Sequence, residues 1–403
     1  MFLRILIIFL LLPLMSLSVV AQTTDEEAPP YRIIAYYAGW AIYGREYFVT
    51  DIPADKLTHI NYAFANISEA GECVLGDPWG DTEVPYPGDE EGAELRGNFN
   101  QLQRLKEAHP HLQTLISVGG WTWSGRFSDV ALTDESRQTF ARSCVDFMVR
   151  YGFGGLDIDW EYPTGGGNPG NTERPEDLEN FILLLAELRA QLDAQGERDG
   201  RHYPLTIAAG ASGFEPLDWG RIHPLLDWIN VMTYDMSGGW SSVTGFASPL
   251  YDSSATPAEG TSTDTALRGY LAEGVPPEKL VMGVPFYGHG WSGVADENNG
   301  LHQPYEGRPQ GTFEAGTFDY GDLAENYMEA YTRFWDDTAQ VPWLYSADEG
   351  VMITYDDPES LALKAEYVRE NGLGGVMFWE LSGDDDAHTL LNTLYESLNA
   401  AGE

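Results

Sequence analysis

Basic residues are scarce in this chain. Lysine and arginine number 22 against 63 aspartates and glutamates, a net charge of −41. Phosphate binding needs clustered cations, so the balance argues against nucleic acid and against an anionic membrane surface as partners. Cysteine is scarcer still, with only Cys73 and Cys144. These two and eight scattered histidines show no metal-ligand spacing, and neither a metal nor a cofactor is expected. Cys144 shares a helical face with Phe140, Phe147, Met148 and Tyr151, while Cys73 lies in a Gly- and acid-rich loop, so two free thiols are expected, with a disulfide, which secretion would permit, as the alternative. Long apolar runs are confined to the start of the chain. Residues 5–17 follow Arg4 and precede Val19-Val20-Ala21. That run is too short to span a bilayer and reads as a secretory signal over 1–21, followed by a polar leader over 22–30. A secreted protein with no membrane contact after signal removal is the expectation.

What the chain does have is enough apolar residue for a large core, 43% of 403 positions. Short runs rich in Val, Ile, Leu and Ala predict strands at 32–37, 57–65, 113–118, 155–161, 205–209, 228–233, 280–284 and 375–378. Amphipathic stretches predict helices at 98–108, 134–151, 175–195, 263–273, 358–371 and 386–399. This alternation predicts an α/β fold, a closed (β/α)8 TIM barrel, with an open doubly wound sheet as the alternative. Residues 288–356 break the pattern. Gly-rich turns, a helix near 322–334 and strands at 341–345 and 351–355 predict a small α+β insertion between strands seven and eight. The barrel is then expected over 31–287 and 357–403.

Polar and aromatic residues gather at the ends of the predicted strands. Asp157, Asp159 and Glu161 fall at i, i+2 and i+4, on one face of an extended chain, with Leu156, Ile158 and Trp160 opposite. Crowded carboxylates raise one another's pKa, which keeps one of them protonated near neutral pH. Glu161, nearest the open end, is the candidate general acid. Tyr36, Phe64, Trp121, Trp240 and Trp379 sit at or after other strand ends and would line a groove. Flat rings of this kind suit the apolar faces of sugars.

The run Leu156-Asp157-Ile158-Asp159-Trp160-Glu161-Tyr162-Pro163 is similar to the signature strand of glycoside hydrolase family eighteen. Ser117-Val118-Gly119-Gly120-Trp121, Met232-Thr233-Tyr234-Asp235, Gly283-Val284-Pro285-Phe286-Tyr287-Gly288 and Gly374-Gly375-Val376-Met377-Phe378-Trp379-Glu380 extend the likeness in order. The chain resembles the chitinases of that family, in the branch with an α+β insertion that deepens the groove. The resemblance implies retaining, substrate-assisted cleavage of β-1,4-linked N-acetylglucosamine in chitin or chito-oligosaccharides. It implies Glu161 as acid and base, Asp159 as partner of the acetamido group and Asp157 as tuner of Asp159 through a shared proton. Tyr234 would hold the acetamido oxygen in line for attack. Met232 and Asp235 would shape the pocket, and Trp379 would form its floor. The competing readings are a non-catalytic chitin-binding lectin and an endo-N-acetylglucosaminidase acting on glycans or peptidoglycan. Two positions depart from the family pattern. Gly154 stands where many members carry aspartate, which puts the proton relay and pH optimum in question. His289 stands where arginine is common, so a sugar contact is either lost or taken over by the histidine.

Overall fold

A computed structural model describes residues 31–89, 92–253 and 262–400. The expected signal and leader lie outside the described residues. Eight parallel strands form the central sheet: β1 (Arg32–Ala38), β2 (His59–Ile67), β3 (Gln113–Gly119), β4 (Gly155–Asp159), β5 (Leu205–Gly210), β6 (Trp228–Met232), β7 (Leu280–Pro285) and β8 (Gly375–Trp379). Each pairs with its neighbour in sequence, and β1 pairs with both β2 and β8. The ring is therefore closed, and the expected (β/α)8 barrel is the fold observed.

Helices cover the outside: α1 (Gly97–Ala108), α2 (Asp134–Tyr151), α3 (Asp177–Asp199), α4 (Thr263–Ala272), α5 (Pro358–Glu370) and α6 (Thr389–Asn399). Their ends follow from local chemistry. Helix α2 opens on Thr133, whose side chain accepts from the Ser136 N–H, and stops at Gly152 in a left-handed conformation.

Both faces of the strands are buried, which is why they read as nearly continuous apolar runs. Ile33, Ala35, Leu156, Ile158, Val376 and Phe378 point outward against the helices. Ile34, Tyr36, Leu115, Trp228, Val281 and Met377 pack inside the barrel. With a period of two, Asp157 and Asp159 fall on the inward face of β4.

A second sheet follows β7. Its strands Thr317–Asp319, Tyr287–Ser292, Val351–Thr354, Val341–Ser346 and Thr332–Asp336 pair antiparallel in that spatial order. It has its own small core, including Trp291, Trp343, Tyr345 and Met352. The helix expected near 322–334 is not formed as such. A helical turn covers Leu323–Tyr327, and Thr332–Asp336 is a strand. Thr332, Phe334 and Trp335 favour a pleated surface. The Asp336 carboxylate accepts the Thr338 and Ala339 N–H groups and so turns the chain back into its partner strand.

Two further expectations change. Cys73 and Cys144 are not free thiols but form a disulfide. Residues 68–72 make a tight turn, with the Ser68 N–H donating to the Glu72 carbonyl, so Cys73 starts a short strand on the end of β2. That strand carries Cys73 onto α2, where its N–H meets the Ser143 hydroxyl. Gly154 is also placed differently. It precedes β4, donates to the Thr114 carbonyl and lies beside Gln113 and Arg201. This is the N-terminal end of the barrel, opposite to Glu161, so Gly154 has no part in a proton relay at the mouth.

Candidate active site

The site is built at the C-terminal ends of the barrel strands, where the loops leave the sheet. Strand β4 ends at Asp159, so Glu161 is not a strand residue but stands two residues beyond it. Its backbone is fixed by neighbours. The Glu161 N–H donates to the Ser124 hydroxyl at 2.9 Å, and its carbonyl accepts from Asn171 at 3.2 Å. The Ser124 hydroxyl also lies within donating distance of the Asp159 carbonyl, 3.1 Å. Ser124 and Asn171 were missed by sequence reasoning, since neither belongs to a recognisable motif. Close approach at this point requires glycine. A Cβ at Gly119 would lie 2.4 Å from the Asp159 carbonyl oxygen, and both Gly119 and Gly120 hold positive φ.

The three acids are all buried, but they differ in what surrounds them. Asp157 accepts from Tyr36 (2.7 Å), Ser117 (2.7 Å), Thr206 (2.5 Å) and Asn230 (3.2 Å). Burial raises its pKa, and those four donors oppose the rise. One oxygen of Asp159, by contrast, is buried with no hydrogen-bond partner. Burial pushes the Asp159 pKa well up, and the charges of Glu161 and Asp157 add to the effect. Glu161 is raised to about 7, mainly by burial, with Asp235 adding to it and a hydrogen bond from Tyr162 opposing it. Four donors thus already meet the two Asp157 oxygens. Asp157 acts on Asp159 through its charge.

Tyr234 is buried, its hydroxyl 3.8 Å from the Met377 sulfur. Burial and the surrounding acids hold its pKa well above the ordinary value, so it is a neutral donor. Asp235 adopts φ 58°. One of its oxygens accepts from Tyr287 at 2.6 Å and lies 2.8 Å from His289 Nε2. His289 is thus a partner of Asp235, and its ring packs edge-on against Trp240. Met232 is half-buried and packs with the barrel interior.

The aromatic residues divide into two groups. Trp379 lies in a cluster, stacked on Phe64 at 5.7 Å, 6.1 Å from Trp40 and 5.6 Å from Tyr36. Trp121 and Trp240 are exposed at 48% and 63%, so they offer ring faces to solvent. Tyr36 does not line the groove as expected. It is 2% exposed and gives its hydroxyl to Asp157, so it belongs to the support beneath the site. Trp40 and Tyr43, both exposed, were missed. They follow the end of β1, and the rule that found Trp121 after β3 would have found them. They form part of a cleft of about 490 Å³, whose other walls include Arg45, Phe313, Asp319 and Trp379. Phe313 and Asp319 come from the segment between β7 and β8. An aromatic cleft and a carboxyl group whose pKa is raised to about 7, both at the C-terminal ends of the barrel strands, can bind a neutral sugar chain and protonate an oxygen within it.

Comparison with known proteins places the chain in a family. The profile of Glycosyl hydrolases family 18 matches residues 32–384. Chitinase A1 of Niallia circulans is 46% identical over 94% of this chain and 60% of its own length. Endochitinase 1 of Metarhizium robertsii is 37% identical over 90% of this chain and 83% of that protein. The solved structure of chitinase ChiA74 from Bacillus thuringiensis superposes with a TM-score of 0.88 at 42% identity, covering 91% of this chain and 69% of that one. The chain thus spans about 60% of the length of the first of these relatives.

Proposed function

The chain belongs to glycosyl hydrolases family 18, and from that premise we propose that it is a chitinase cutting β-1,4 linkages between N-acetylglucosamine units. The observation that carries the proposal is the contrast within the acid ladder: Glu161, its pKa raised to about 7, is buried beside an Asp159 with an unpartnered oxygen, at the mouth of a barrel flanked by exposed tryptophans. Glu161 gives its proton to the glycosidic oxygen as the bond from the anomeric carbon breaks. The acetamido oxygen of the same sugar attacks that carbon, forming an oxazolinium ion. The unpartnered Asp159 oxygen accepts the acetamido N–H, and the positive charge developing beside it favours ionised Asp159, which offsets that charge. The Tyr234 hydroxyl holds the acetamido oxygen in line. Glu161, now ionised, then takes a proton from the water that opens the ring. Trp379 floors the subsite where this happens, while Phe64, Trp40 and Trp121 support or extend the sugar-binding surface. Residues 288–356 form the insertion that raises one wall.

Export fits the same reading. Among the described residues no helix is long and apolar enough to cross a membrane. A disulfide between Cys73 and Cys144 suits an oxidising compartment, in keeping with a signal over 1–21. The test is release of nitrophenol from a chromogenic chitobioside, run beside glycopeptide and cell-wall substrates. Release from the chitobioside and chitin oligomers alone is expected. Binding without release would favour a lectin, and preferential cleavage of glycopeptide would replace the substrate.

A further inference from the structure

A fully buried ion pair lies away from the acid ladder. Lys364 on α5 and Asp356 just before it are wholly shielded from solvent, and the Lys364 ammonium is 2.7 Å from an Asp356 oxygen. The same ammonium donates to the Ser248 carbonyl at 2.7 Å and to its hydroxyl oxygen at 2.6 Å. The Ser248 hydroxyl donates in turn to the Thr233 carbonyl at 3.1 Å. Thr233 immediately precedes Tyr234 and Asp235, and its own hydroxyl donates to the Gly283 carbonyl on β7.

A buried ion pair is poor value for stability, because apolar residues of the same volume commonly do as well. Its geometry suggests another use. Asp235 holds a left-handed conformation, which aspartate tolerates better than most residues but which still leaves its direction to be set by the surroundings. Tyr287 and His289 hold the Asp235 carboxylate, and residues 247 and 248 hold the backbone on either side of the 234–235 pair. The Met236 N–H donates to the Ala247 carbonyl at 3.0 Å, and the Ala247 N–H is held by the Thr354 hydroxyl. With an ammonium donating into its oxygen, the Ser248 hydroxyl is left to direct its hydrogen at Thr233.

We propose that Lys364, fixed by Asp356 and acting through Ser248, is a positioning residue that sets the Thr233 backbone and so aims Tyr234 and Asp235 into the site. The kinetic part of this proposal rests on the chitinase reading; the structural part does not. The test compares Ser248→Ala, Ser248→Thr and Lys364→Met by crystallography and by turnover of a chromogenic chitobioside. Ser248→Ala and Lys364→Met are expected to displace the Tyr234 hydroxyl and to lower kcat by about tenfold or more, with KM changed less. Ser248→Thr keeps the hydroxyl and is expected to restore both position and rate. In a Tyr234→Phe background the loss caused by Ser248→Ala should largely vanish, since the two changes act on one interaction. An unmoved Tyr234 and Asp235 in folded Ser248→Ala overturns the proposal, as does an equal loss of kcat in both backgrounds. If Lys364→Met fails to fold, Ser248→Ala alone decides. The position of Tyr234 is read without substrate, so an inactive wild type would sink the chitinase reading and still leave the positioning result legible.

Discussion

At the scale of single residues, the three acids of the 157–161 stretch have unequal environments, and that inequality predicts pH behaviour. Glu161 has its pKa raised by burial to about 7, against an ordinary value near 4.5. The folded protein therefore holds a proton at Glu161 that the unfolded chain releases between those two values. Stability from this group is fully present below pH 4.5 and is lost as pH rises through 7. Glu161→Gln removes the titration, so it should raise the melting temperature at pH 8 and leave it nearly unchanged at pH 4. The difference corresponds to at most about 3 kcal/mol. Thermal denaturation at the two pH values checks this, and equal shifts at both would contradict it. The same shift predicts that kcat/KM of the wild type falls above about pH 7, as the acid loses its proton.

At the scale of elements, strand β4 explains why sequence reasoning located the site and misjudged its details. Alternation along Leu156-Asp157-Ile158-Asp159 correctly placed the acids on the inward face, because both neighbours of the strand are fixed by the barrel. It could not show that the strand stops at Asp159, since what carries Glu161 past the end is a distant hydroxyl, Ser124. It could not show the burial of Tyr36 either, because that follows from Asp157 crossing the barrel interior. The strand and helix pattern made the barrel legible. The cysteine pairing was not, since a five-residue turn, 68–72, brings Cys73 back onto α2. Gly154 belongs to the same lesson. Its departure from the family pattern put the proton relay in question, yet it sits at the far end of the strand. A Cβ there would lie 3.4 Å from an Arg201 nitrogen. An added Cβ would also lie 3.2 Å from the Gln113 Oε1 oxygen; Gly154→Asp should lower stability at this buried position and leave the pH–rate profile unchanged. A shifted pH optimum in that variant would contradict the placement.

At the scale of the whole molecule, two long-range ties join parts that the barrel alone does not hold. The Cys73–Cys144 bridge closes 71 residues of sequence. A loop of that size implies a stabilisation of about 4 kcal/mol from restricting the unfolded chain. Reduction should lower the melting temperature by several degrees with little change in kcat, because neither cysteine touches the site; an unchanged melting temperature would contradict the bridge. The second tie is the segment between β7 and β8, which lends Phe313 to the cleft and stacks it under Arg45 at 4.3 Å. Phe313→Ala is expected to raise KM for chitin hexamer by about three- to tenfold while sparing a chromogenic chitobioside. Equal effects on both substrates would place Phe313 outside the sugar path. The central proposal is that Glu161 transfers the proton that breaks the glycosidic bond. The most direct measurement is turnover of chitin hexamer by Glu161→Gln, alongside its affinity for the same oligomer by calorimetry. A fall in kcat of about a hundredfold or more with affinity retained is predicted, and turnover near that of the wild type would contradict it.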